Sequence, residues 1–355
     1  SAARGGRRSR PERRPPRHPH DTHHPTTHRI PPRGGALLHR LRFIPGRLLQ
    51  AVPVAFGVTL IVFFMAHLLP GNPALAILGE RATDASVAAL TEQLGLDRPI
   101  WEQYGIFLAQ LVRGDLGTSL TYQLPVTELV FQAIPVTMSL LGYALVLSLV
   151  ISIPLAALAA SRPGSSRDLG VRLFTLVGQG MPQFWVGIML ILLLAVGLRA
   201  FPVGGYGRDA AEHVRFLFLP ALTLAIAMSP TVIRSLRASM IDVLESEHVG
   251  TARSKGSAGV HLFRDHVLRN AAIPTVSIIG VNLGYLVGGS LVIEKVFALP
   301  GLGSLMVNAI FSRDFPTIQA VTLFVALFVV IVGILTDVVY TMLDPRVTLG
   351  GKDAA

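Results

Sequence analysis

The chain of 355 residues is 51% hydrophobic and only 15% charged. With apolar runs of about twenty residues, that composition indicates an integral membrane protein. The absence of cysteine excludes a disulfide framework, a thiolate nucleophile and a cysteine metal site. The net charge of +10 equals the excess in the first 47 residues, twelve arginines against two acids, so it describes a tail and does not imply a nucleic-acid-binding domain.

Residues 1–40 are rich in Arg, Pro, His and Gly and cannot bury apolar surface, so a disordered tail is expected. His18, His20, His23, His24 and His28 belong to that low-complexity composition and are not read as a metal site. Arginines in such a tail favour anionic lipid by about 1 kcal/mol each near the surface. The body, 41–348, is one membrane domain, followed by a short tail at 349–355. A first span is expected at Leu48–Leu69, retained because no small-residue cleavage signature follows it. Residues 70–133 form a polar-to-mixed exterior loop. Within it, Glu92–Arg113 predicts an amphipathic helix with Trp101, Tyr104 and Phe107 at steps of three, either at the membrane interface or in a small packed exterior subdomain.

Further spans are expected at Ile134–Ala160, at Leu173–Leu198 with an interruption at Gly178–Gln183, and at Phe216–Leu236 with Pro220 and Pro230. The last two are expected at Ile273–Ile293 and Ile318–Leu343. The fold class is therefore all-α and polytopic, with six transmembrane helices. Arg162, Arg167, Arg172, Arg234, Arg237, Arg253, Lys255, Arg264 and Arg269 gather on one side with the arginine tail. The positive-inside rule makes that side cytoplasmic and places both termini there.

Between the fourth and fifth spans lies a polar island, Met240–Pro274, including a loop at 240–272. Leu244, His248, Ala252 and Gly256 fall at steps of four, predicting one helix face on which Ala252 and Gly256 leave room for another backbone. Gly256-Ser257 breaks the helix, and Ser257 is a candidate cap for a second amphipathic stretch with Val260, Phe263 and Val267 on one face. Arg264, Asp265 and Arg269 lie elsewhere, and Asn270 and Pro274 are read as its end. Two short helices joined at a glycine suggest a docking knob for a soluble partner.

The residues Gly250, Thr251, Ala252, Arg253, Lys255 and Gly256, with Leu268-Arg269-Asn270 before Pro274, resemble the EAA loop of ABC importer permeases. The closer resemblance is to the B-type permease subunit of the dipeptide/oligopeptide/nickel branch. Leu69-Pro70-Gly71-Asn72-Pro73-Ala74, Gly114-Asp115-Leu116-Gly117-Thr118-Ser119, Glu294-Lys295-Val296-Phe297 with Pro300-Gly301-Leu302-Gly303, and Leu343-Asp344-Pro345-Arg346 extend it over about residues 40–348. Gly250 departs from the branch, which usually carries arginine there. The resemblance implies the type I importer permease fold in a bacterial inner (plasma) membrane. It also implies a second permease subunit completing the pore, two cytoplasmic ABC ATPases carrying ATP and Mg, and an extracytoplasmic binding protein delivering peptide. The six coupling residues would meet the ATPases. Permeases for nickel chelates or glutathione share the same motifs.

Polar groups in a membrane need a partner or a wet cavity. Gln179 and Gln183, four apart beside Gly180 and Pro182, are read either as pore lining or as inter-helix hydrogen bonding. Asn282 and Tyr285, near Gly284, Gly288 and Gly289, carry the same two readings. Glu294 is read either as an exterior gate or as a solvated boundary charge, and Asp337 as a structural partner of a group such as Arg346. No phosphate-binding loop, His-Glu-x-x-His or Gly-x-Ser-x-Gly pattern occurs, so the chain has no evident catalytic or metal site and any work is powered elsewhere. A membrane-embedded hydrolase would need a nucleophile and base on facing spans, where histidine is scarce. A secondary transporter would need a repeat that is not evident.

Overall fold

The computed structural model describes residues 44–68, 82–93, 95, 97–256 and 259–343, and among these every regular element is helical. The tail 1–40, Leu69–Ala74, Ser257 and Asp344–Arg346 lie outside the described residues. Helix α1, Ile44–Leu68, is followed by α2, Asp84–Gln93, and α3, Ile100–Val112. Helix α4 is Val126–Ser161 and α5 is Ser166–Gly180. Helix α6, Gln183–Leu190, continues as a π-helical segment, Ile191–Gly197. Helix α7 is Ala210–Leu244 and α8 is Glu247–Ser254. Helix α9, Gly259–Leu262, passes through a π-helical segment, Phe263–Leu268, into α10, Arg269–Val296. Helices α11, Leu302–Ser312, and α12, Phe315–Leu343, complete the fold.

Among the described residues four stretches are long and apolar enough to cross a membrane: α4, α7, Phe263–Val296 and α12. The pair α5 and α6 makes a fifth if counted as one span, bent by 103°. The expected first span corresponds to α1, whose apolar part is Ala51–Phe64. Several spans start earlier than expected. Helix α4 begins at Val126, inside the stretch read as exterior loop, and its 36 residues make it about 54 Å long.

The core is the packing of α4 on α7. Small residues recur down one face of α4 (Ala144, Ser148, Ser152, Ala156, Ala160), all buried. Small side chains let backbones approach where apolar lipid supplies no drive for helix association. Ser148 Oγ lies 3.3 Å from Ser229 Oγ, and Ser152 Oγ donates to the Ser229 carbonyl at 3.5 Å. Local chemistry sets the helix starts. The Asp209 carboxylate accepts from the Glu212 N–H and the Glu212 carboxylate accepts from the Arg208 N–H, both at 2.8 Å, a reciprocal cap for α7.

The aromatic stripe of α3 is divided. Tyr104 hydroxyl lies 2.9 Å from Thr59 Oγ1, and the Tyr104 and Phe107 rings pack on Phe63 of α1. Trp101 remains 72% exposed. Steps of three drift around a helix, which carries Trp101 off the packed face.

Candidate coupling site and polar groups of the spans

The polar island forms an excursion between α7 and α10, but its faces differ from the periodic reading. Helix α7 ends at Leu244, and α8 starts afresh at Glu247 after Glu245 and Ser246. Leu244 and His248 therefore do not share a helix. In α8, Val249 and Ala252 are turned into the chain's own core. Ala252 is thus corrected from a partner-facing position to a packing one. The outward side of α8 carries Glu247, Gly250, Thr251 and Ser254, with Arg253, Lys255 and Gly256 also exposed. Thr251 and Ser254 hydroxyls donate to the Glu247 and Gly250 carbonyls of their own helix, both at 3.1 Å. Among the described residues neither Arg253 nor Lys255 forms an ion pair.

Gly256 has φ +89°, and a Cβ built on it meets nothing within 4 Å. Its requirement for glycine is conformational, because side chains other than glycine are strained in that region. Helix α8 and the stretch beyond the turn are separate, as expected, but the second is not a short helix of its own. The second stretch runs through Phe263–Leu268 into α10 with Pro274 inside the helix, so Asn270 and Pro274 do not end it. Val267 is fully buried, Phe263 packs on the core, and Arg264 and Asp265 pair with each other at 2.8 Å on the exposed side. The side chain of Val260 is outside the described residues. A cavity of about 500 Å³ lies under α8, lined by Ala157, Ala160, Leu244, Arg253, Leu262 and Phe263 among others.

Gln179 and Gln183 do not share a face, because the helix breaks between them. Met181 is extended, with φ −89° and ψ 128°, as expected for a residue pushed out of the helical region by the following proline. Gln179 accepts a hydrogen bond from Arg234 of α7. Gln183 sits against Gly289 of α10, where a Cβ would come within 2.6 Å of its Oε1. Asn282 donates to the Ile278 carbonyl of its own helix at 2.7 Å. Tyr285 is 77% exposed and borders a cavity of about 770 Å³ between α1, α10 and α12, which Asp337 also lines. Arg346, named as a partner for Asp337, is outside the described residues.

Glu294 is neither solvated nor at the surface: it is fully buried. Its carboxylate accepts from Thr137 Oγ1 at 2.7 Å and from the N–H groups of Gly303 at 2.7 Å and Ser304 at 3.1 Å. It thereby caps α11 from another helix, favoured further by the positive end of the helix dipole. Gly301 and Gly303 are glycine because a Cβ there would lie 2.5 and 2.8 Å from Glu294 Oε2. The adjacent Phe297 ring packs on Gly187 of α6, and its carbonyl accepts from the Gly205 N–H at 2.8 Å.

Two further buried carboxylates were not singled out from sequence. Asp314 accepts from Ser119 Oγ, from the Leu120 N–H at 3.1 Å and from Thr317 Oγ1 at 2.9 Å, tying the Gly114–Ser119 stretch to the start of α12. Asp168, at zero exposure, takes both arms of Arg237 of α7, Nε at 2.6 Å and Nη2 at 2.8 Å. Ser165 and Asp168 show the capping spacing that marks the start of α5. No sequence signal joins Asp168 to Arg237 across the intervening chain.

Comparison with known proteins follows the same outline. The family described as "Binding-protein-dependent transport system inner membrane component" matches residues 152–349, and its N-terminal companion matches residues 40–141. The chain is similar to the oligopeptide transport system permease protein AppB of Bacillus subtilis, at 36% identity over 86% of this chain and 98% of the relative. It is also similar to the dipeptide transport system permease protein DppB of Escherichia coli, at 33% identity over 86% of this chain and 98% of the relative. A chain of the MetNI methionine ABC transporter, solved in inward-facing conformations, is similar in fold. Its TM-score is 0.52 at 16% identity, over 61% of this chain and 96% of that one.

Proposed function

The chain belongs to the family of inner membrane components of binding-protein-dependent transport systems, and from that premise we propose that it is a permease subunit of an ATP-driven importer of dipeptides or oligopeptides. It is a non-catalytic component, an inner membrane subunit of a transport complex. The observation that carries the coupling role is the exposed excursion Glu247–Gly256, a short helix held on the core by Val249 and Ala252 with its polar side open.

In this reading a second permease subunit completes the pathway and two ATPase subunits, carrying ATP and Mg, press on α8 from the cytoplasm. A binding protein delivers peptide outside, and this chain itself holds no cofactor. Both termini and α8 lie on the cytoplasmic side, as the arginine asymmetry requires. Gly250, Thr251 and Ser254 supply the contact surface. Arg253 and Lys255 add exposed charge worth about 0–1 kcal/mol per pair. Relatives named for oligopeptide and dipeptide transport support peptide over nickel chelates or glutathione.

The test is reconstitution with the partner subunits and binding protein in liposomes, supplying labelled dipeptide, tripeptide, glutathione and nickel chelate. ATP-dependent uptake of peptide is expected. Uptake confined to glutathione or nickel, or uptake that survives without the ATPases, would overturn the reading.

A further inference from the structure

We propose that Asp168 is a positioning residue for transport. Through Arg237 it makes α5 one rigid arm with the end of α7, so that movement of the coupling helix is delivered to the break at Met181–Pro182. The inference rests on the transport reading above and adds a route for the motion inside this chain.

Helix α5 runs back along the second half of α7 and is fixed to it along its length. At its start, the buried Asp168 carboxylate holds Arg237 in a two-armed fork, with Arg172 at 3.2 Å and the Gly164 N–H at 2.9 Å completing its contacts. At its end, Gln179 accepts from Arg234, and Gly178 faces Pro230 so closely that a Cβ would lie 3.2 Å from the proline ring. Asp168 is buried but the Arg237 side chain is 23% exposed, and replacing even a fully buried ion pair by well-packed apolar groups is often neutral or stabilising, so the pair is weak evidence for stability. What a two-armed arginine–carboxylate pair adds is fixed orientation. Arg237 lies two turns before the end of α7 at Leu244, and Glu245 and Ser246 alone separate that end from α8.

Past the break the attachments change. Gln183 abuts Gly289, and Gly187 packs between Phe297 and Thr223, so α6 is fixed to the Glu294 end of the bundle. Helix α5 is fixed to the coupling end. Met181 and Pro182 are the covalent joint between them, while both also pack on α7, α5 along the second half of α7 and α6 at Thr223, and the two helices meet at 103°. A movement of the end of α7 relative to the Glu294 end therefore has to be taken up at this joint and within α7 itself, where Pro230 lies, in the manner of a hinge that absorbs backbone rotation in a few residues.

The absence of native cysteine permits paired spin labels in the complete complex with its ATPases, measured with and without Mg-ATP trapped by vanadate. Labels at Leu169→Cys and Asp242→Cys report the arm, and Leu169→Cys with Trp185→Cys reports the joint. All three sites are exposed. The arm distance should stay constant between states while the joint distance shifts. In Asp168→Asn the arm distance should broaden, and tripeptide uptake per ATP hydrolysed should fall about fivefold or more, with ATP hydrolysis retained. A joint distance that does not shift, or an assembled Asp168→Asn complex with unaltered distances and uptake ratio, would overturn the proposal. Should Asp168→Asn not assemble, Arg237→Lys keeps the charge and loses the fork. The same broadening is expected, and unaltered distances overturn the proposal. Failure of the unmodified complex to take up any peptide would sink the peptide reading alone, because the distances decide the clamp without substrate.

Discussion

Glycine has opposite meanings at the two ends of α10. At the Glu294 end, Gly204, Gly301 and Gly303 stand where a Cβ would meet another group at 2.4–2.5 Å. At the coupling end, Gly250 and Gly256 have nothing within 4 Å. One end is closed, with a buried carboxylate whose partners come from α4 and α11. The other is open, with polar side chains bonded mostly to their own helix. The difference separates a part of the chain closed on itself from a part left open, where the proposed ATPase contact falls.

The largest effect should come from opening the closed end. Glu294→Ala strips the acceptor from Thr137, Gly303 and Ser304, at about 1–3 kcal/mol for each buried group left unsatisfied. Thermal unfolding of the detergent-purified subunit should fall sharply, and an unchanged midpoint would show that the cap is dispensable. Gly303→Ala places a methyl 2.5 Å from the Leu291 Cα. Overpacking of that kind costs about 1–3 kcal/mol, measurable in the same assay.

Gly256 sharpens the contrast. On the isolated subunit, Gly256→Ala and Gly256→Leu should lose the same amount, about 1–2 kcal/mol, because only φ is at issue. In the assembled complex Gly256→Leu should lose more ATPase on co-purification than Gly256→Ala. Equal retention would mean that no partner approaches this turn. The smallest effect, and of opposite sign, is Gly250→Ala. An exposed interior glycine of α8 replaced by alanine should stabilise the subunit by about 0.4–1 kcal/mol, and a lower melting temperature would contradict the open face.

Much of the architecture was legible because apolar runs and turn residues are local signals. The break at Met181–Pro182 could be anticipated from Gly180 and Pro182, but its angle could not. The faces of α8 were misjudged for a specific reason. Leu244, His248, Ala252 and Gly256 keep helical spacing, yet the helix ends and restarts at Glu245–Ser246, which resets the phase. Glu294 looked like a boundary charge because hydropathy sees its neighbours in sequence. Its partners, Thr137 and Gly303, arrive from other helices. Asp168 and Arg237 pair across the fold by the same kind of long-range contact.

The broken helix has a consequence for how the protein is made. Helix α5 has 15 residues and α6 has 8 before its π-helical extension. At 1.5 Å per residue, α5 reaches about 22 Å, short of the roughly 30 Å of hydrocarbon it would have to cross. Pro182 also leaves the Gly178 carbonyl without its usual donor, and lipid offers none. The stretch that packs along α5 is α7, which brings Arg237 to Asp168 and Arg234 to Gln179, and it is synthesised afterwards. Residues 166–197 therefore leave the ribosome before the helices that complete their contacts exist. Asp168 and Gln179 gain their arginine partners only once α7 has been made, and Gln183 gains its neighbour Gly289 only once α10 has.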